Sequence, residues 1–228
     1  MPDFVLNAEA VARKAMKSVQ PALAEKYMKV IRFLALDPSC ASKAKGKNAP
    51  TVGSAEYIIG QAAGFAAGRN PKAPEKPATV PDEMVSYILH HYFEVPEDQL
   101  DRIKNEHLIS MGAENMVGNL LERYIATVLE PLGWVWCSGS MVKAVDFVKP
   151  PASKDDQWTL LQVKNRDNSE NSSSSAIRDG TAIIKWFRTF SKKPGSNWPA
   201  FPDSKARGRL SEDAFKEFAK NYLQSLKA

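Results

Sequence analysis

The strand signals of this chain are concentrated between Trp134 and Asn165, with long stretches of helical periodicity on either side. The segment WVWCSGS is rich in aromatic and β-branched residues, AVDFV alternates, and WTLLQVKN resumes after a polar loop. A short β section enclosed by helices predicts an α/β protein: a small β-sheet flanked by helices, with a helical region at the N-terminal side.

The flanks support this. Residues 8–35 place Val11, Ala15, Val19, Leu23, Tyr27, Val30, Ile31 and Leu34 at helical spacing, and Pro21 divides the run into two helices. Asp37-Pro38 ends the second, and Ser54 reads as the N-cap of AEYIIGQAAGFAAG. In that segment Gly60, Gly64 and Gly68 recur every four residues. Glycine costs about 1 kcal/mol per helical position relative to alanine, so the stripe is read as a site of close helix–helix packing. Four prolines in residues 70–81 mark a linker or surface loop. Read as a boundary rather than a long loop inside one domain, which is equally open, they divide the chain into a helical region, 1–80, for dimerisation or DNA clamping, and a core with its recognition segment, 81–228.

Beyond it, Asp82 opens a helix, and the pattern from Pro96 to Leu129 is helical, with a point near Gly112 where it can break. AIRDGTAIIKWFRTF is read as helical, with Trp186, Phe187 and Phe190 as core residues. SEDAFKEFAKNYLQSLKA is a terminal helix with Ser211 as its N-cap.

Composition excludes several classes. No apolar run approaches the roughly 18–20 residues of a membrane span, and the N-terminus lacks the apolar stretch of an export signal. Cys40 and Cys137 are too few for a disulfide framework or a cysteine-rich zinc site, so the expected compartment is the reducing cytoplasm. There is no Walker loop, dinucleotide fingerprint or nucleophile elbow, and hence no nucleotide cofactor is expected. His90 and His91 are adjacent on a helix and face different directions; with His107 they read as structural or surface residues.

The chemistry lies in AVDFVKPPASKDDQWTLLQVKN. Alternate side chains of a strand share a face, so Asp146 goes with Ala144 and Val148, while Gln162 and Lys164 go with Trp158 and Leu160. If the strands pair as a hairpin, Asp146 lies beside Gln162 and Lys164. An aspartate is a hard oxygen ligand for a divalent cation, and a lysine beside it can orient water or neutralise charge on a phosphate. The Val163 carbonyl is a further candidate ligand. Upstream, Glu122 in ENMVGNLLERYIATVL shares a helix stripe with Glu114 and Gly118, and Gly118 is expected to let this helix sit close to a neighbour.

This arrangement resembles the PD-(D/E)xK nuclease superfamily, with Gln162 where the second acid usually stands. A helix before the catalytic strands often supplies a glutamate in that superfamily, and GNLLERYI resembles it, which favours Glu122. The run QVKNRDNSENSSSSAIRDG, with GNLLERYI upstream, is similar to type II restriction endonucleases of the SinI/AvaII kind over at least residues 105–190. The resemblance implies a restriction-endonuclease-like core with a small mixed sheet. It also implies a homodimer in the bacterial cytoplasm that cuts double-stranded DNA with Mg²⁺ at GGWCC (W being A or T). A cognate DNA methyltransferase is implied as a functional counterpart, not as a bound partner. The catalytic set would be Asp146, Gln162, Lys164 and Glu122, with Asp146, Glu122 and Val163 toward the metal.

Residues leaving the second strand are placed to read DNA. Arg166 suits guanine O6 and N7, Asp167 can accept from a cytosine amino group, and Asn165 and Asn168 can bond to base edges. From composition alone the serine-rich stretch reads equally as a flexible linker; with the resemblance, Ser169, Asn171, Ser172 and Ser173 offer short donors to phosphates, and a helix start near Ser174 and Ser175 would add backbone N–H groups. Glu170 is open as a water-mediated contact, a ligand or a cap. Arg178 begins a segment, 178–209, with eight positive and two negative side chains, a local +6 against +5 for the whole chain. Such a patch suits phosphate contacts. From the residues alone, a structure-specific nuclease, a non-catalytic DNA-binding protein and a basic helical protein with a protein partner stay open as alternatives.

Overall fold

The computed structural model describes residues 4–44, 46–153, 156–167 and 182–227. Five helices precede the sheet: α1 (Ala8–Val19), α2 (Ala24–Leu36), α3 (Ala55–Ala67), α4 (Glu83–His91) and α5 (Leu100–Leu129). The strands β1 (Val135–Trp136), β2 (Phe147–Lys149), β3 (Thr159–Arg166) and β4 (Ile183–Thr189) follow, then α6 (Ser204–Arg207) and α7 (Glu212–Ser225). The caps are those legible in the sequence. Ser54, Asp82 and Ser211 accept from the backbone N–H groups of Tyr57, Met84 and Ala214. Pro21 separates α1 from α2 through a short 3₁₀ turn. No helix among the described residues is long and apolar enough to cross a membrane.

The sheet runs β1-β2-β3-β4, with antiparallel β1–β2 and β2–β3 pairs and a parallel β3–β4 pair. It is therefore a mixed sheet. Because neighbouring strand residues face opposite sides, adjacent pairs feed two cores. Val135, Val148, Leu160 and Ile183 meet the N-terminal helices through Tyr27, Ile31, Leu34 and Phe65. Trp136, Phe147, Leu161, Val163 and Trp186 meet Leu121 and Ile125 of α5 and Phe215 of α7. Polar ties reinforce the first junction. Glu130, just past α5, accepts from Lys26 of α2 and from Arg69 at the end of α3. Arg123 of α5 is buried and donates to the carbonyls of Gly68, Arg69 and Asn70, terminating α3.

Several expectations are corrected. Residues 183–189 form a strand rather than a helix. β4 buries one residue on each side, Ile183 in one core and Trp186 in the other, while Ile184 stays exposed, so the simple alternation that identifies a half-exposed strand is absent. Phe187 and Phe190 are partly exposed and pack edge-to-face on each other, so of that trio only Trp186 is buried. The helix through Gly112 does not break. Glycine is needed there because the backbone of the proline-rich segment crosses α5: a Cβ on Gly112 would lie 2.5 Å from the Glu75 carbonyl oxygen.

At Gly118 a Cβ would meet nothing, so that glycine makes no close approach. The Gly60–Gly68 stripe does not pack on another helix; only Gly68 makes a close approach, and it is to the loop at Gly139. A Cβ on Gly68 would lie 2.4 Å from the Gly139 nitrogen, and Gly60 faces open space.

Candidate active site

Asp146 stands one residue before β2, at the point where the β2–β3 ladder ends. Ala144, at φ +55°, turns the chain into it. Its backbone is held from both sides: Cys137 N–H donates to the Asp146 carbonyl at 2.8 Å, and Asp146 N–H donates to Leu161 at 2.9 Å. The carboxylate then takes a ladder position itself, accepting from Val163 N–H at 2.6 Å. In a strand the N–H and C=O of one residue point to the same side. The Val163 carbonyl therefore faces the same gap as its N–H, toward Asp146.

The antiparallel register, Phe147 opposite Leu161, carried one step further sets Asp146 level with Gln162. Gln162 is fully buried. Lys164, two residues on, is half-buried, and its ammonium lies within electrostatic reach of both Asp146 and Glu122. The hairpin geometry expected from the alternation is thus the one the chain adopts.

Glu122 comes from the middle of α5. Its carboxylate accepts from the Trp136 indole N–H at 2.9 Å, which fixes it against β1. Burial pushes this carboxyl up to about 8, and the charge of Asp146 adds to the rise. The Trp136 N–H, Lys164 and Arg123 pull it down. Asp146 is pushed up to about 6 by burial, against the Val163 N–H and Lys164. Two neighbouring carboxyl groups raised chiefly by burial are what a site looks like when a cation would offset the cost of burying their charges. Glu114 lies two turns earlier on α5 and is exposed, so it does not join them.

Among the described residues no cluster of three or more His, Cys, Asp or Glu side chains is poised for a metal. The donors that do converge are two carboxylates and a backbone carbonyl. These are hard oxygens, the chemistry preferred by Mg²⁺ or Ca²⁺ and not by softer metals.

A second lysine joins the site from β4. Lys185 is level with Gln162 in the parallel pair, and its pKa is depressed first by burial and then by the nearby Lys164 charge. In the sequence it stands out only as one cation of the basic segment 178–209. Its place beside Lys164 depends on β4 being a parallel neighbour of β3.

The proposed readout residues divide. Arg166 is exposed at the end of β3. The Asn165 side-chain oxygen accepts from Arg188 Nε and Nη2 at 3.0 and 2.9 Å, and Arg188 also pairs with Glu212. Asp167 accepts from Ser191 N–H at 2.8 Å. These two side chains tie the ends of β3 and β4 together. Asn168, Ser169, Asn171, Ser172, Ser173 and Arg178, with Glu170 and the helix start near Ser174, lie outside the described residues.

A mixed four-stranded sheet between helical layers, with an aspartate and a lysine on adjacent β-segments and a helix glutamate beside them, defines a restriction-endonuclease-like nuclease core. Comparison with known proteins narrows the class. The SinI restriction endonuclease family model matches residues 8–225, and the chain belongs to that family. It is 50% identical over 225 residues to the type II restriction enzyme SinI of Salmonella infantis, covering 98% of this chain and 97% of that protein. It is also 50% identical over 221 residues to the type II restriction enzyme Eco47I of Escherichia coli, covering 96% of each. The chain is accordingly a type II restriction endonuclease, a site-specific deoxyribonuclease.

Proposed function

We propose that this enzyme is a homodimer that hydrolyses double-stranded DNA at GGWCC with Mg²⁺, leaving 5′-phosphate ends. A cognate methyltransferase would protect the host's own sites. The observation that carries the reading is the convergence of Asp146, Lys164 and Glu122, contributed by three separate elements.

Asp146, Glu122 and the Val163 carbonyl would hold the cation. When bound, it supplies Lewis-acid stabilisation of the phosphate and makes nearby water more acidic. Lys164 orients the attacking water and places a positive charge where the phosphorane gathers negative charge. Lys185 adds a second ammonium for the same phosphate. Gln162, buried between β2 and β4, fixes the floor of the site. Water attacks in line with the leaving 3′ oxygen, which departs with a proton and leaves the phosphate on the 5′ side. Arg166 reads a guanine. Asn165 and Asp167 set the direction in which the recognition segment leaves the sheet, and Asn168, Ser169, Asn171, Ser172, Ser173 and Arg178 complete the DNA contacts.

The test is digestion of plasmid with Mg²⁺, followed by sequencing of the ends. Cuts confined to GGWCC with 5′ phosphates are expected, and cuts at another sequence would remove the site assignment. Asp146→Ala and Lys164→Ala should each abolish cutting while retaining specific binding in a gel-shift assay. Near wild-type cleavage by either variant would remove the mechanism.

A further inference from the structure

From Pro81 to Met111 no residue is buried, although the stretch holds all of α4 and the first two-fifths of α5. Short helices in water owe most of their stability to packing of an apolar face, and α4, nine residues long, rests chiefly on α5, beside Leu100, Ile103, Lys104 and Leu108. The uncovered surface is strongly apolar. Among the described residues, nine of the fourteen large hydrophobic side chains left exposed lie between Val80 and Met111. With roughly 200 Å² per large side chain and about half of each exposed, nine present on the order of 900 Å² summed over the faces of α4 and the start of α5. The largest apolar patch of a typical monomer is about 300–600 Å², whereas a stable interface takes about 800 Å² from each partner.

The geometry points to a second copy of this chain as the occupant, and we infer that α4 and the start of α5 form an arm through which two copies pair about a two-fold axis. Met84, Tyr87, Ile88 and His91 stand at i, i+3, i+4 and i+7, one stripe along the exposed side of α4. The Tyr87 and His91 rings already lie against each other, 4.2 Å apart between centroids. Hydrogen-bonding groups along α4 are self-complementary, with carboxylates that accept at its start and imidazoles that can donate at its end. Asp82 and Glu83 stand at its start, and His90 and His91 at its end. Antiparallel pairing of α4 with α4 of the other copy sets each acidic end against an imidazole end, twice by symmetry, and opposes the helix dipoles favourably.

The assignment rests on the homodimer reading above: each chain holds one Asp146–Lys164–Glu122 set, and a duplex has two strands to cut.

Sedimentation of the full-length protein at micromolar concentration, with and without duplex, provides the test. A dimer is expected. Tyr87→Glu and Ile88→Glu should each weaken dimerisation by more than about tenfold with an unchanged circular dichroism spectrum. Leu36→Glu, at an exposed apolar position elsewhere, should leave the dimer intact. Ile88→Cys should form a disulfide-linked dimer on mild oxidation, since Cys40 and Cys137 are both buried. Glu83→Lys should loosen the dimer, and His91→Glu in the same chain should restore it. A dimer that persists in both glutamate variants of the arm, together with no cross-link in Ile88→Cys, would overturn this interface while sparing the homodimer reading. A wild-type protein that stays monomeric with and without DNA would overturn both.

Discussion

Trp136→Phe is the most informative single change at the site. It keeps an aromatic ring in the second core and removes one N–H, the donor that holds the Glu122 carboxylate at 2.9 Å. A hydrogen bond to a charged group contributes about 1.5–3 kcal/mol. At 1.36 kcal/mol per pKa unit, its loss moves Glu122 about 1–2 units further toward the alkaline side. That carboxyl already sits at about 8. Near neutral pH the variant therefore meets a larger proton-release penalty before Glu122 can ligate, and its apparent Mg²⁺ affinity should fall by about 10–100-fold.

The assay is initial cleavage rate as a function of Mg²⁺ at several pH values, below the melting temperature, since the smaller ring also costs about 1–3 kcal/mol of stability. The expected result is a deficit that shrinks as pH or Mg²⁺ rises. A deficit constant across both variables would show that Trp136 acts only by packing, and the electrostatic argument would fail.

Three further outcomes are expected. In chelator, stability should fall as pH rises from about 4.5 to 8, because the folded protein keeps protons on Asp146 and Glu122 that the unfolded chain has released. Glu122→Gln should flatten the upper part of that slope in chemical denaturation, and an unchanged slope would assign it to other groups. Gly112→Ala should destabilise the fold by about 1–3 kcal/mol despite alanine's better helix propensity, because the Cβ meets Glu75 backbone, whereas Gly118→Ala, facing open space, should add up to about 1 kcal/mol. Paired thermal melts decide this, and equal effects at the two glycines would contradict the packing. Arg166→Ala should relax discrimination among single-base variants of the site, and unchanged discrimination in competition cleavage would remove its readout role.

Much of the site was legible because local rules set it. Alternation places Gln162 and Lys164 on one side of a strand. The hairpin that follows from AVDFV and WTLLQVKN brings Asp146 beside them. Glu122 required a comparison with relatives of known pattern, since a helix glutamate carries no mark of its function in the sequence. Its indole partner Trp136 is fourteen residues away, and Lys185 reaches the site only through a parallel pairing that no nearest-neighbour rule announces. Gly112 and Gly68 show the same limit: the sequence flags that something offsets the cost of glycine, but the opposing atoms belong to Glu75 and Gly139.

The sequence by itself determined the helix boundaries, through Pro21, Ser54, Asp82 and Ser211, and the facing of β3, because capping and strand alternation act over a few residues. Only the tertiary structure decided that residues 183–189 are a strand and that Arg123 closes the end of α3. It also decided that Glu122 is held by an indole within electrostatic reach of an aspartate. Those outcomes depend on which strands pair and which surfaces other elements cover, and on charges that meet across long sequence separations, and neither is encoded in any short window of the chain.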